Sequence, residues 1–157
     1  MAAIIGVDEI KAAIVNTLTA GMAAAIAAVN ADRADGITII APATYVTSDR
    51  DNINQLGSPV CVVTIKNPKK NKEVGDRQIW HYEGFISMRY IGRGEIADTV
   101  KKKLERYRDV INRILGAYAN NTLGGVVWET NILGATTTND KPLSGWAEVR
   151  IEIWTNN

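Results

Sequence analysis

The 157-residue chain has one cysteine, one histidine and one phenylalanine, and each scarcity narrows the chemistry open to it. A lone Cys61 cannot close an internal disulfide, and its place in the apolar run Val60 to Ile65 reads as a small buried hydrophobe rather than a reactive thiol. That usage fits a reducing compartment. With His81 the only histidine, there is no Cys/His cluster for zinc, and no GxxxxGK[ST], HExxH or GxSxG motif occurs. The carboxylates Asp49, Asp51, Glu83 and Glu129 read as surface charges, since nothing in their spacing makes them converge. The expectation is therefore a non-enzyme, with no catalytic residues, no metal ligands and no cofactor.

Excess charge is also missing. Eighteen basic residues against seventeen acidic ones leave a net charge of +1, so the whole molecule is no electrostatic magnet for nucleic acid or anionic lipid. The alanine-rich N-terminal stretch has no basic flank and carries Asp8, Glu9, Lys11 and Asn16 within its pattern, which argues against a signal peptide or a membrane span. Gly92 and Gly94 in IGRGE resemble a fragment of a phosphate-binding turn, but a tight strand-to-helix turn needs the same residues.

What is present is amphipathic pattern. Between Gly94 and Tyr118, apolar side chains recur at Ile96, Val100, Leu104, Tyr107, Ile111, Ile114, Leu115 and Tyr118, which is helical spacing. Lys101, Lys102, Glu105, Arg106, Asp109 and Arg113 occupy the other face, so the helix needs a broad apolar surface on one side, and a sheet supplies it. A first helix follows from Val7, Ile10, Ile14, Leu18, Met22, Ile26 and Val29, with alanines between them and Gly21 marking a bend or a close approach.

Strands are expected at Ile37 to Ala41, limited by Pro42, then at Val60 to Lys66, Ile79 to Ile91, Val126 to Leu133 and Trp146 to Trp154. The polar stretch Thr47 to Gln55, with Asp49, Arg50 and Asp51, reads as a solvated connection. Asn67 to Gln78 reads as a long basic hairpin loop holding Lys69, Lys70, Lys72 and Arg77, with Lys66 at its base, and Gly134 to Gly145 as a second long connection. In the last strand Ala147, Val149, Ile151 and Ile153 alternate with Glu148, Arg150 and Glu152. Trp146 and Trp154 fall on that charged face, as Arg89 falls on the mixed face of its own strand, so the outer surface is a candidate interface. The expected fold is one α+β domain over residues 1–157, a mainly antiparallel sheet packed by both helices in the order α-β-β-β-α-β-β.

This order and length resemble the tail-terminator, tail-completion and neck proteins of tailed bacteriophages. The resemblance is carried by the helix Val7 to Val29, CVVTIKN at Cys61 to Asn67, WHYEGFISMRYI at Trp80 to Ile91, EIADTVKKKLERYRDVINRILGAY at Glu95 to Tyr118, and AEVRIEIW at Ala147 to Trp154. It is a match of element order across nearly the whole chain rather than of a diagnostic motif. It implies a virion structural protein, assembled in the host cytoplasm, that closes into a homo-hexameric ring. The ring caps the tail tube, ends its polymerisation and joins the tail to the head connector.

The resemblance thus implies as partners other copies of the chain, the tail-tube protein and the head-tail connector, with only non-specific contact to passing DNA and no membrane. Trp146, Trp154, Arg150, Glu148, Glu152 and Arg89 would pack between subunits, and Lys66, Lys69, Lys70, Lys72 and Arg77 would touch the tube rim or the DNA passage. Another head-tail adaptor or a tube-associated component is the alternative, and a small ligand-binding domain a more distant one.

Overall fold

The structure, a computed structural model, describes residues 5–47, 57–74, 77–141 and 143–156, of which 67–74, 77, 78 and 156 are described in backbone alone. The elements are α1 (Val7–Asp32), β1 (Thr44–Val46), β2 (Val60–Val74), β3 (Arg77–Ile91), α2 (Ala97–Leu115), β4 (Glu129–Lys141) and β5 (Ser144–Asn156), with a single 3-10 turn at Tyr118–Asn120. The strands form one sheet in the order β1-β2-β3-β5-β4, parallel only between β1 and β2. This is the α+β class and the element order that the sequence pattern implies.

Both helices lie against one face of the sheet. The α1 stripe Ile10, Ile14, Leu18, Met22, Ile26 and Val29 joins Val100, Leu104, Tyr107, Val110, Ile111 and Ile114 of α2 in a core completed by Ile86, Met88, Val149, Ile151 and Ile153. Helical period on one side and alternate strand positions on the other bury these side chains together, which is the main stabilising term. A Cβ on Gly21 would stand 3.2 Å from Ile114, so the glycine sets how closely the helices approach. By length and composition α1 is apolar enough to cross a membrane, and in this fold its apolar stripe is buried in the core.

Several boundaries differ from the sequence reading. The expected strand at Ile37–Ala41 is absent, because side chains take its backbone groups. Asn30 bonds both the N–H and the C=O of Ile39, Arg106 donates to the carbonyl of Ile37, and Tyr107 Oη donates to that of Ile40 at 3.0 Å. The short strand forms instead at β1. The two expected loops are largely ladder: β2 pairs with β3 as far as Val74 and Arg77, and β4 pairs with β5 as far as Lys141 and Ser144. A long partner strand captures polar residues that read as turn formers in isolation. In turn, β4 starts at Glu129 rather than Val126.

The long helix is shorter than its apolar pattern. Ile96 and Tyr118 lie outside it, 69% and 89% exposed, and Gly116 ends it. Arg106, expected on the solvent face, is 2% exposed, since its guanidinium reaches both Ile37 O and the Asp35 carboxylate. That hydrogen bond, followed by one from the Ile37 backbone, holds the Asp35 carboxyl below its usual range.

Candidate functional site: the outer face of the sheet

β3 and β5 pair without irregularity over their shared length, which sets the outer-face side chains in rows. His81 stands opposite Trp154, Glu83 opposite Glu152, Phe85 opposite Arg150, Ser87 opposite Glu148, and Arg89 opposite Trp146. On the flanks, β2 places Lys66 beside Glu83, and β4 places Glu129 and Asn131 beside Trp154 and Glu152. The alternation that buries Ala147, Val149, Ile151 and Ile153 on one side turns these residues to the other. Among the described residues no helix or strand packs over them.

The face is internally tied. The His81 and Trp154 rings lie 4.4 Å apart, tilted by 47°, and His81 Nε2 is 3.3 Å from Glu152 Oε2. Asn131 Nδ2 donates to the other oxygen of Glu152 at 3.2 Å. These contacts offset the like charge of Glu83, which stands directly opposite Glu152. Lys66 Nζ sits 5.1 Å above the Phe85 ring, a cation–π contact. Ser87 Oγ donates to Glu148 Oε2 at 3.2 Å.

One end of the row is closed. Arg89 is 5% exposed, donates to Asp140 Oδ2 at 2.7 Å and lies 5.4 Å from the Trp146 ring centroid. Burial opposes ionisation of Asp140, but hydrogen bonds from Arg89 and Ser144 outweigh it and lower its pKa. Arg89 is thus engaged within its own chain. Trp146, Glu148, Glu152 and Trp154 are half-buried and Arg150 is exposed, so the face opens toward the Arg150 and Trp154 end.

The basic group behaves differently. Lys66 is exposed on this face, while Lys69, Lys70, Lys72 and Arg77 lie in paired strand, described in backbone alone. They are therefore ladder residues rather than loop residues. Asp49, Arg50 and Asp51 lie outside the described residues. Glu83 and Glu129 share the outer face, and among the described residues no His, Cys, Asp and Glu side chains group as a metal would require.

The sequence reading missed a polar cluster at the turn between β3 and α2. Tyr90 Oη donates to Glu95 at 2.8 Å, Lys103 Nζ donates to Tyr90 Oη at 3.0 Å, and Lys103 also pairs with Glu95. The cluster lines a cleft of about 520 Å³ with Ile39, Ser58, Arg93 and Tyr107. Burial works against the charge on Lys103, yet the hydrogen bonds to Glu95 and Tyr90 prevail, so its pKa is raised; burial also raises that of Tyr90. A nucleophilic amine or a phenolate base needs the reverse shifts. Glycine makes the turn possible: a Cβ on Gly92 would stand 2.4 Å from Val100 and 2.7 Å from Glu95 Oε2, and Gly94 has φ of 74°. Gly92 thus serves close packing here, and Gly94 serves the left-handed turn. No sequence period joins Tyr90, Glu95 and Lys103, because the turn brings them together.

Burial pushes the Cys61 thiol up to about 12, which fits an inert core residue. Exposed aromatic surface also stands at Tyr118 and Trp128, at the opposite end of α2 from the cleft. No protein-family model matches the chain, and no curated protein matches it.

Proposed function

We propose that this chain is a ring-forming structural subunit of the tail-terminator type, which closes into a homo-hexamer on the end of a phage tail tube and presents its other surface to the head connector. The observation that carries this reading is the outer face of β3 and β5. Aromatic and ionic side chains alternate there beside exposed Arg150, with both helices on the opposite side of the sheet. A half-exposed indole flanked by charge is an interface composition, since it offers a large apolar area with polar groups to fix orientation. The cleft at Tyr90 favours the same reading, because its ionisable groups neutralise one another and their shifts oppose nucleophilic or basic chemistry.

The ring requires a heterologous contact, in which different patches of neighbouring copies meet. Trp154, Arg150, Glu152, Glu148 and Trp146 form one such patch; Arg89 supports it from beneath by holding Trp146 and Asp140. On this reading the lysine-bearing part of β2 and β3 would touch the tube rim or the DNA passage. Light scattering after size exclusion, across a concentration series, tests the reading. A hexamer that dissociates when Trp146 and Trp154 are both replaced by serine supports it. An unchanged oligomer removes the tryptophans from the interface, and a strict monomer that also fails to bind the tail-tube protein overturns the reading.

A further inference from the structure

The two edges of the sheet are built differently. β4 forms one edge over thirteen residues, and from Thr130 to Asn139 it carries neither a charge nor a proline. The Thr130 N–H is taken by the Asn121 carbonyl at 2.8 Å; beyond it, among the described residues, β4 backbone groups bond only within the ladder to β5. Roughly every second residue of an edge strand turns its N–H and C=O away from the sheet. Edges left in this state are templates for another strand, and proteins usually guard them with lysine, proline or bulges. Register shifts lie between Ile132 and Gly134, where Leu133 is 42% exposed at the rim, and between Asn139 and Lys141; Gly134 to Asn139 runs uninterrupted between them.

At the other edge β1 covers only Val60 to Val62 of β2, so among the described residues Val63 to Val74 has no strand on its outer side. This edge carries Lys66, Lys69, Lys70 and Lys72 against Glu73, contains Pro68, and shifts register between Lys66 and Lys69 and between Lys70 and Lys72. It is guarded against a second copy of itself. It is not guarded against the β4 side, whose charges are Glu129 and Asp140 with Glu148 and Glu152 on the adjoining strand, against Lys141 and Arg150.

We propose that copies of this chain join by strand addition, the free edge of β4 in one copy pairing with the β2 edge beyond Val62 in the next. The inference rests on the ring-forming reading and adds to its outer-face patch a backbone contact at the sheet edges. β2 and β4 run in opposite directions, because three antiparallel steps separate them in the sheet. A neighbour related by rotation about an axis along the strands therefore offers β2 antiparallel to β4, the more stable pairing. The two edges are different surfaces, so the contact is head-to-tail, the kind that closes as a ring when the rotation between copies completes a turn. The free stretches are also offset along the strand direction: Lys66 is level with Asn131 through Glu83 and Glu152, and the free β2 edge extends past it. Tilted strands in a closed barrel supply such a stagger.

The test is amide hydrogen exchange on the full chain, below and above its association concentration, together with the double variant Thr136→Lys, Thr138→Lys. Both threonines are exposed on β4, so circular dichroism should show an unchanged monomer. Assembly should slow exchange both in β4 and in β2 beyond Val62. The variant, which places lysines against a lysine-rich edge, should weaken association by about tenfold or more, whereas Thr136→Ser, Thr138→Ser should assemble normally. Protection of β4 alone would mean that β4 pairs with its own copy and would overturn the head-to-tail seam. An assembled ring with both edges still exchanging overturns strand addition and leaves the ring reading standing. A monomer at every concentration overturns strand addition between copies, and the ring reading is then decided by tail-tube binding.

Discussion

The two faces of β5 share one backbone and one register, yet they are governed by different physics. On the inner face Ala147, Val149, Ile151 and Ile153 are at most 1% exposed, packed under α2 by contacts that have no alternative partner in water. On the outer face Trp146, Glu148, Arg150, Glu152 and Trp154 each engage or overlook a neighbour that water can replace. The first face fixes the fold of the protomer. On the proposed reading, the second is where a neighbouring copy docks. Substitution effects should therefore divide by face, and within β5 they should alternate residue by residue.

The largest effect is expected inside. Ile151→Ala should cost about 2–5 kcal/mol, read as a lower denaturation midpoint with an unchanged slope, because a well-packed core collapses only partly around a missing side chain. Gly145→Ala comes next, at about 1–3 kcal/mol, since its Cβ would meet Thr138 O at 2.4 Å and Leu104 Cδ1 at 2.7 Å. A neutral result in the same denaturation measurement would mean that the close approach of β4, β5 and α2 is adjustable. One residue along from Ile151, Arg150→Ala should change protomer stability by about 0.5 kcal/mol or less while weakening association, as surface substitutions do. Equal costs at 150 and 151 would erase the contrast between the faces.

The smallest effect concerns pH. Asp140 has a folded-state pKa below its ordinary value of 3.8, and Glu95 one below 4.5. For Glu95 burial again opposes the shift, while Lys103 and Tyr90 drive it. A lowered folded pKa contributes stability in full above the ordinary value and loses it as pH falls through the lowered one. The chain should therefore lose stability on acidification below about 4.5, and Asp140→Asn and Glu95→Gln should each flatten part of that limb in acid denaturation curves. An unaltered curve in Asp140→Asn would detach Arg89 from the outer network.

Much of this fold was legible because it rests on period. The α1 stripe, the α2 stripe from Val100 to Leu115 and the alternation of β5 each bury the positions their spacing names. What escaped the sequence depends on partners far along the chain. Asn67, Pro68, Gly134 and Asn139 are turn formers in isolation, and only the length of β3 and β5 draws their segments into ladder. Ile37 to Ala41 is apolar enough for a strand, yet Asn30, Arg106 and Tyr107 reach its backbone first. Arg106 shows the same limit, since its charge predicts solvent until Asp35 and the Ile37 carbonyl come within reach. For the candidate interface, alternation placed Trp146, Glu148, Arg150, Glu152 and Trp154 on one face, but gave no sign that Arg89 is already held by Asp140.

The long β3–β5 seam also bears on how the chain is made. It joins residues far apart along the sequence, Ile79 to Asn156 at one end and Ile91 to Ser144 at the other, and β5 follows every other described element. A chain emerging from the ribosome therefore carries β3, the strand at the middle of the final sheet, with one flank bare until β5 is released. Throughout that interval the apolar side chains destined for the inner face have only the helices for shelter. Synthesis rate and chaperone capture, as well as the stability of the finished molecule, then bear on how much of the chain folds.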